Sequence, residues 1–127
     1  MPYSAAYKED GAEFRFHGHT TGRDILQAKR ELFGYTFPRE ARWSLCDFTA
    51  VEKLDVLPTE VKSIVRQDVA AVSTHPNLGE IVIAADDYQF GLARMWEMQV
   101  DSVRPWILVA RSRDEAVRWL EGRGLRI

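Results

Sequence analysis

The sequence predicts an α/β fold: an N-terminal β-hairpin, then alternating helices and strands, with about five strands in a mostly parallel sheet and four main helices. Three observations carry this reading. Two short extended runs flank an Asp10-Gly11 turn, short continuous apolar runs recur later in the chain, and the residues between those runs show apolar positions at helical spacing behind N-cap signatures. Helix and strand in alternation demand a largely parallel sheet, because parallel neighbours need a crossover between them. The order of the strands across the sheet stays open at this stage.

Tyr3 to Tyr7 and Glu13 to His19 read as the hairpin strands, joined by a turn whose Asp-Gly pair favours positive φ. Thr21, with Asp24 three residues on, has the pattern of an N-cap with an acidic first turn. Ile25, Ala28, Leu32 and Tyr35 then recur at helical spacing, so the first helix is predicted from about Arg23 to Tyr35. Arg42 to Phe48 is a short apolar-rich run bounded by polar loops, hence a strand. Pro58 opens a second helix with Val61, Ile64, Val65, Val69 and Val72 along one face, ending before His75-Pro76-Asn77. Glu80 to Ala85 is apolar almost throughout, as expected of a strand covered on both faces. Asp86 and Gln89 form a capping-box pattern for a third helix, with a core stripe of Tyr88, Leu92, Met95 and Trp96 continued by Val100 and Val103. Trp106 to Ala110 is the last strand, and Ser112 with Glu115 opens a helix that Gly122 stops.

With 127 residues, 46% hydrophobic and 28% charged, the chain is predicted to be one domain, residues 1–127, because two would each bury too little apolar surface. Its formal charge of -2 gives no long-range positive field, which argues against nucleic acid as a partner. A lone cysteine, Cys46, excludes an internal disulfide and any multi-cysteine metal site, and fits a reducing cytoplasm. The N-terminus lacks a signal pattern and no stretch is long enough to span a bilayer, so a cytoplasmic protein with no transmembrane segment is expected.

The order β-β-α-β-α-β-α-β-α resembles that of the STAS-like superfamily, also called SpoIIAA-like after the anti-sigma-factor antagonists. Local stretches carry the resemblance. SLCDFTAVEKLDV is similar to the family's third strand and its exit, IVIAADDYQFGLARMW to the fourth strand and third helix of an uncharacterised bacterial branch, and SRDEAVRWL to its closing helix. The similarity covers nearly the whole chain and is most specific from Ala84 to Trp96. It implies a bacterial, non-catalytic module that acts by protein contact, while other members of the wider fold carry apolar ligands, including lipids. In the phospho-regulated antagonists a serine at the start of the second helix is the switch. The matching stretch here reads Leu54-Asp55-Val56-Leu57-Pro58, and Thr59 and Ser63 lie out of register, so that switch is not implied for this chain.

Several residues stand out as candidates. Asp68 falls inside the apolar face of the second helix, where an unpaired carboxylate is costly; it reads either as a pocket carboxylate or as one half of a buried ion pair. With Tyr88, Leu92, Met95 and Trp96 it forms the candidate apolar-ligand pocket between helices and sheet. Phe90 is predicted on the polar face of the third helix, near Arg94 and Met98, the composition of a protein interface or homodimer contact, unless a neighbouring segment folds over it. Asp47, Asp55, Asp86 and Asp87, with Thr59 nearby, are expected along one edge of the sheet. Such carboxylates suit a hard cation, but Asp86 already has a capping role and the spacing is that of no metal loop. His17 and His19 share a strand face, yet a third ligand is missing, so no metal and no cofactor are assigned. Cys46 reads as a buried thiol and the four tryptophans as core. No nucleophile elbow, phosphate-cradling glycine loop or zinc helix is present, so no catalytic residues are named and no enzymatic activity is expected.

Overall fold

A computed structural model describes residues 2–34 and 37–127. Its elements are β1 (Tyr3–Tyr7), β2 (Gly11–Thr21), α1 (Gly22–Leu32), β3 (Trp43–Asp55), α2 (Pro58–Ala70), β4 (Gly79–Ile83), α3 (Asp87–Val100), β5 (Ile107–Ala110) and α4 (Arg113–Gly122). Tyr35, predicted to end the first helix, lies outside the described residues. The strands form one sheet in the order β1-β2-β3-β4-β5, with β1 antiparallel to β2 and every other pair parallel.

That order fixes the layers. Each parallel strand is added on the same side of its predecessor, so right-handed crossovers place α1, α2 and α3 on one face of the sheet. Ile25, Ala28 and Leu32 of α1, Ile64 of α2, and Ala93, Trp96 and Val100 of α3 there meet Phe14, Phe16, Cys46, Phe48 and Val82. The last helix closes no crossover and takes the opposite face, packing Ala116 and Leu120 on Trp43, Leu45, Ile81 and Ile83. Strand β4, buried at every residue, lies between the two cores.

The capping signals act as read. Thr21 and Asp24 exchange both capping-box bonds, at 3.2 and 2.9 Å. The Asp86 carboxylate accepts from the Gln89 N–H at 2.7 Å and the Ser112 hydroxyl from the Glu115 N–H at 3.2 Å. Pro58 opens α2, whose first turn is tied down by Glu60 reaching back to the Leu57 N–H at 2.8 Å.

Three readings need correction. First, β3 does not stop at Phe48 but runs to Asp55, because β2 is long enough to keep pairing with it through register shifts between Arg15 and His17 and between Gly18 and His19; the φ of 66° at Gly18 is a glycine conformation. Second, α3 turns a different face inward: Gln89, Ala93, Trp96 and Val100 are buried, while Tyr88 and Met95 are 59% and 48% exposed. Third, Val69 of α2 is exposed, and Val103 is exposed beyond the end of α3.

Glycine at position 79 is dictated by packing, since a Cβ there would collide with the Trp106 indole that lies across the start of β4. Gly79→Ala is expected to lose about 1–3 kcal/mol, the usual penalty for overpacking. The check is a lower urea midpoint at unchanged slope; an unchanged midpoint would contradict this packing.

Candidate functional site

Four charged side chains meet in the interior beneath the three-helix layer. Lys29 of α1, Asp68 of α2, Glu80 of β4 and Arg104 from the turn after α3 are all buried. The Lys29 ammonium donates to Asp68 Oδ1 and Oδ2 at 2.9 and 3.1 Å and to Glu80 Oε1 at 2.8 Å, which uses all three of its protons. Trp96 Nε1 donates to Asp68 Oδ2 at 2.6 Å, and its ring lies 4.8 Å below the Lys29 nitrogen. Arg104 places Nε 3.2 Å from Glu80 Oε2, close enough for an ion pair though not aligned as a hydrogen bond, and donates to the carbonyls of His75 and Asp68 at 2.7 and 3.2 Å.

Two cations and two anions balance, so the cluster carries no net charge when fully ionised. Burial, and then the neighbouring Glu80 charge, push the Asp68 carboxyl up to about 7 against the pull of Lys29 and Trp96. Burial also works to raise Glu80, but Lys29 and Arg104 outweigh it and hold that carboxyl low. Burial works to lower Lys29, yet the two carboxylates keep it well above the usual lysine range. Of this cluster the sequence singled out Asp68 and Trp96 alone. The signal for Lys29 was its place in the inward stripe of α1, between Ala28 and Leu32; for Glu80 it was a charge opening an otherwise apolar strand. Arg104 sits in a turn with no periodicity to mark it.

Beside the cluster lies a partly open apolar cavity of about 70 Å³ between the three helices and the sheet. Its walls are Ile25 of α1, Val61 and Ile64 of α2, Leu92, Ala93 and Trp96 of α3, and Cys46, Phe48, Leu54 and Val82 of the sheet, with Val56, Lys29 and the Gln89 amide at its margins. Well-packed interiors seldom keep voids much larger than a water molecule, and apolar ones hold water poorly. Leu92 and Trp96 line this space as the candidate pocket required. Asp68 lies behind Trp96, and Tyr88 and Met95 are on the surface, because α3 is turned to aim the Trp96 indole at Asp68. Cys46 offers no nucleophile here, since burial pushes its thiol up to about 12.

The outer face of α3 is unusual. At 3.6 residues per turn, Tyr88, Gly91, Met95 and Met98 share the side opposite the buried residues, and the last is 76% exposed. A surface helix normally turns a polar face outward. Arg94 borders this stripe and pairs with Glu97 at 2.6 Å. Phe90, predicted beside Arg94 and Met98, is instead half-buried: the Arg111 guanidinium covers its ring at 3.9 Å.

The strand-end acids do not form a group. Asp47 is buried within β3 because that strand continues past it, and it accepts from the Thr49 N–H and hydroxyl at 2.9 and 2.8 Å. Asp55 is carried to the far end of the extended strand, 3.7 Å from His19. Asp86 caps α3, Asp87 pairs with Arg111 at 2.8 Å, and Thr59 is exposed in the first turn of α2. His17 and His19 are separated by the shift at Gly18, while His75 is buried against Phe37. Among the described residues no three His, Cys, Asp or Glu side chains come together as metal ligands. No helix among them is long and apolar enough to cross a membrane.

No family model matches the sequence, and no curated protein does. Among solved structures, the chain is similar to that of the anti-sigma factor antagonist SpoIIAA in its unphosphorylated form. The TM-score is 0.56 over 97% of this chain and 99% of that one, at 12% identity. The fold is STAS-like, as the sequence resemblance implied.

The cluster makes a pH prediction. A carboxyl near 7 when folded and about 4 when unfolded takes up a proton on folding, so its contribution to stability falls as pH rises from about 4 to about 7. Asp68→Asn places a group at this position that does not titrate, so it is the pH-independent reference against which that loss is read. The stability difference between wild type and Asp68→Asn, followed by urea titration at several pH values, should shrink over that window. A difference independent of pH would refute the raised carboxyl.

Proposed function

We propose that this STAS-like chain is a non-catalytic binding module, one domain over residues 1–127, that works by protein contact through the outer face of α3. The observation that carries this reading is the exposed apolar stripe of Tyr88, Met95 and Met98 on a helix whose opposite side is already committed to the core. The occupant we favour is a second copy of the chain. Tyr88 and Met98 are equally far from residue 93, and so are Gly91 and Met95, so a two-fold antiparallel pairing would set Tyr88 against the partner's Met98 and Gly91 against the partner's Met95. Gly91 has open space around it, room for a methionine side chain. Arg94 and Glu97 at the margin supply both signs of charge for the same pairing.

The fold resemblance supports a regulatory role, but the start of α2 presents Leu57 and Pro58 where a hydroxyl switch would stand, so the proposal includes no phosphorylation step. In sedimentation velocity the wild type should show concentration-dependent association, and Met98→Glu should remain a monomer with stability within about 0.5 kcal/mol, as for ordinary surface changes. A wild type that stays monomeric at all concentrations removes the second copy as the occupant.

The cavity supports a second reading, the binding of a small apolar ligand or an acyl chain end. Lys29 is fully engaged by carboxylates, which leaves apolar contact and the Gln89 amide as what the space offers. With 1-octanol as probe, the thermal midpoint of the wild type should rise. Ala93→Leu, which fills the space, should abolish that rise; no shift in the wild type would end this reading.

A further inference from the structure

The opposite end of the sheet, where the parallel strands begin, carries an open polar cleft lined by Arg42, Asn77, Pro105, Trp106 and Arg123. Its framework is pinned by the backbone. The Arg42 N–H donates to the Asp10 carbonyl at 2.7 Å, the Gly79 N–H to the Arg42 carbonyl at 2.9 Å, and the Glu80 N–H to the Trp106 carbonyl at 3.3 Å. The three strand entrances therefore hold fixed positions. Gly79, lacking a side chain, lets the Trp106 indole lie flat against the start of β4.

Arg123 is held in place as well. Its guanidinium lies 4.7 Å from the Trp119 ring and 5.4 Å from that of Trp106, and the two indoles are 5.0 Å apart. A guanidinium stacked on indoles has little freedom left to lose when it binds. A cation at the C-terminus of α4 also suits the helix dipole, which accounts for Arg123 but not for Arg42 on another element.

The charges in this cleft are unspent. Among the described residues neither Arg42 nor Arg123 has a carboxylate partner, a condition shared by six of the chain's other arginines; what distinguishes these two is that they line one cleft. No acidic residue lines the cleft, although the chain as a whole carries a charge of -2.

We propose that this cleft is a binding site for a phosphate-class oxyanion, gripped by Arg42 and Arg123 with the Asn77 amide as a third donor. Two guanidinium forks match the paired oxygens of a phosphate, and the half-buried Trp106 offers apolar contact to an organic group attached to it. The site is separate from the α3 face and from the apolar cavity, and the proposal stands whether or not either of those binds anything.

The test is titration of the ¹⁵N-labelled chain at low salt with inorganic phosphate, AMP and adenosine, following the four indole N–H resonances. Trp106 and Trp119 should shift saturably with phosphate and with AMP, while Trp96, on the far side of the sheet, stays still. R42Q and R123Q should each weaken binding about tenfold, the usual effect of losing one charge-assisted contact, and R123K should recover part of it. Added salt should weaken it too. Tighter binding of AMP than of phosphate identifies a phosphorylated small molecule as the ligand class; equal binding identifies the free anion. Arg42 is exposed and its variant keeps the fold, so an R42Q protein with native dispersion and unchanged affinity overturns the proposal. So does the absence of any saturable shift with phosphate and AMP, or a response to adenosine alone.

Discussion

Charges taken out of water must find partners, and here one buried cluster meets that demand for four of them at once. Lys29, Asp68, Glu80 and Arg104 come from three different elements and a turn, so satisfying them ties α1, α2, the exit of α3 and β4 to a single point. Such clusters add little net stability, since desolvation offsets most of the attraction. What this one supplies is registry. Apolar helices sliding on an apolar sheet lose little by small shifts, whereas Lys29 has all three protons committed and any shift would strand one of them. Trp96 joins through its indole nitrogen, and that bond sets the rotation of α3 about its own axis.

The rotation of α3 links the interior to the surface. With Trp96 aimed at Asp68, the small Ala93 and the polar Gln89 face inward, and a cavity remains where larger side chains would have filled the space. The same rotation carries Tyr88, Met95 and Met98 to the outside. The void and the exposed stripe are thus two results of one hydrogen-bonded constraint.

The architecture was legible in the sequence because its signals are local. Thr21, Asp86 and Ser112 announce their helices through chemistry completed within three or four residues, and the run from Glu80 to Ala85 shows a strand buried on both faces. The rest depended on partners distant in the chain. The extension of β3 follows from the length of β2, and the inward face of α3 from an acceptor 28 residues away on α2. Hydropathy assigned Tyr88 and Met95 to the core because they are apolar and helically spaced, and that rule fails where a hydrogen bond decides the rotation. Asp68 was conspicuous as a carboxylate among valines. Lys29 was hidden because its long apolar stem fits an inward stripe, and Arg104 because turns carry no period.

The central claim is that the outer face of α3 pairs with its own copy, and contact between Tyr88 and Met98 tests it most directly. Within one chain these residues are about 15 Å apart along the helix, beyond the reach of a nuclear Overhauser effect. A sample mixing copies labelled at the methionine methyls with unlabelled copies should show an isotope-filtered cross-peak between the Met98 methyl and the Tyr88 ring, fading on dilution. Sharp, concentration-independent Met95 and Met98 methyl signals with no such cross-peak would contradict the account.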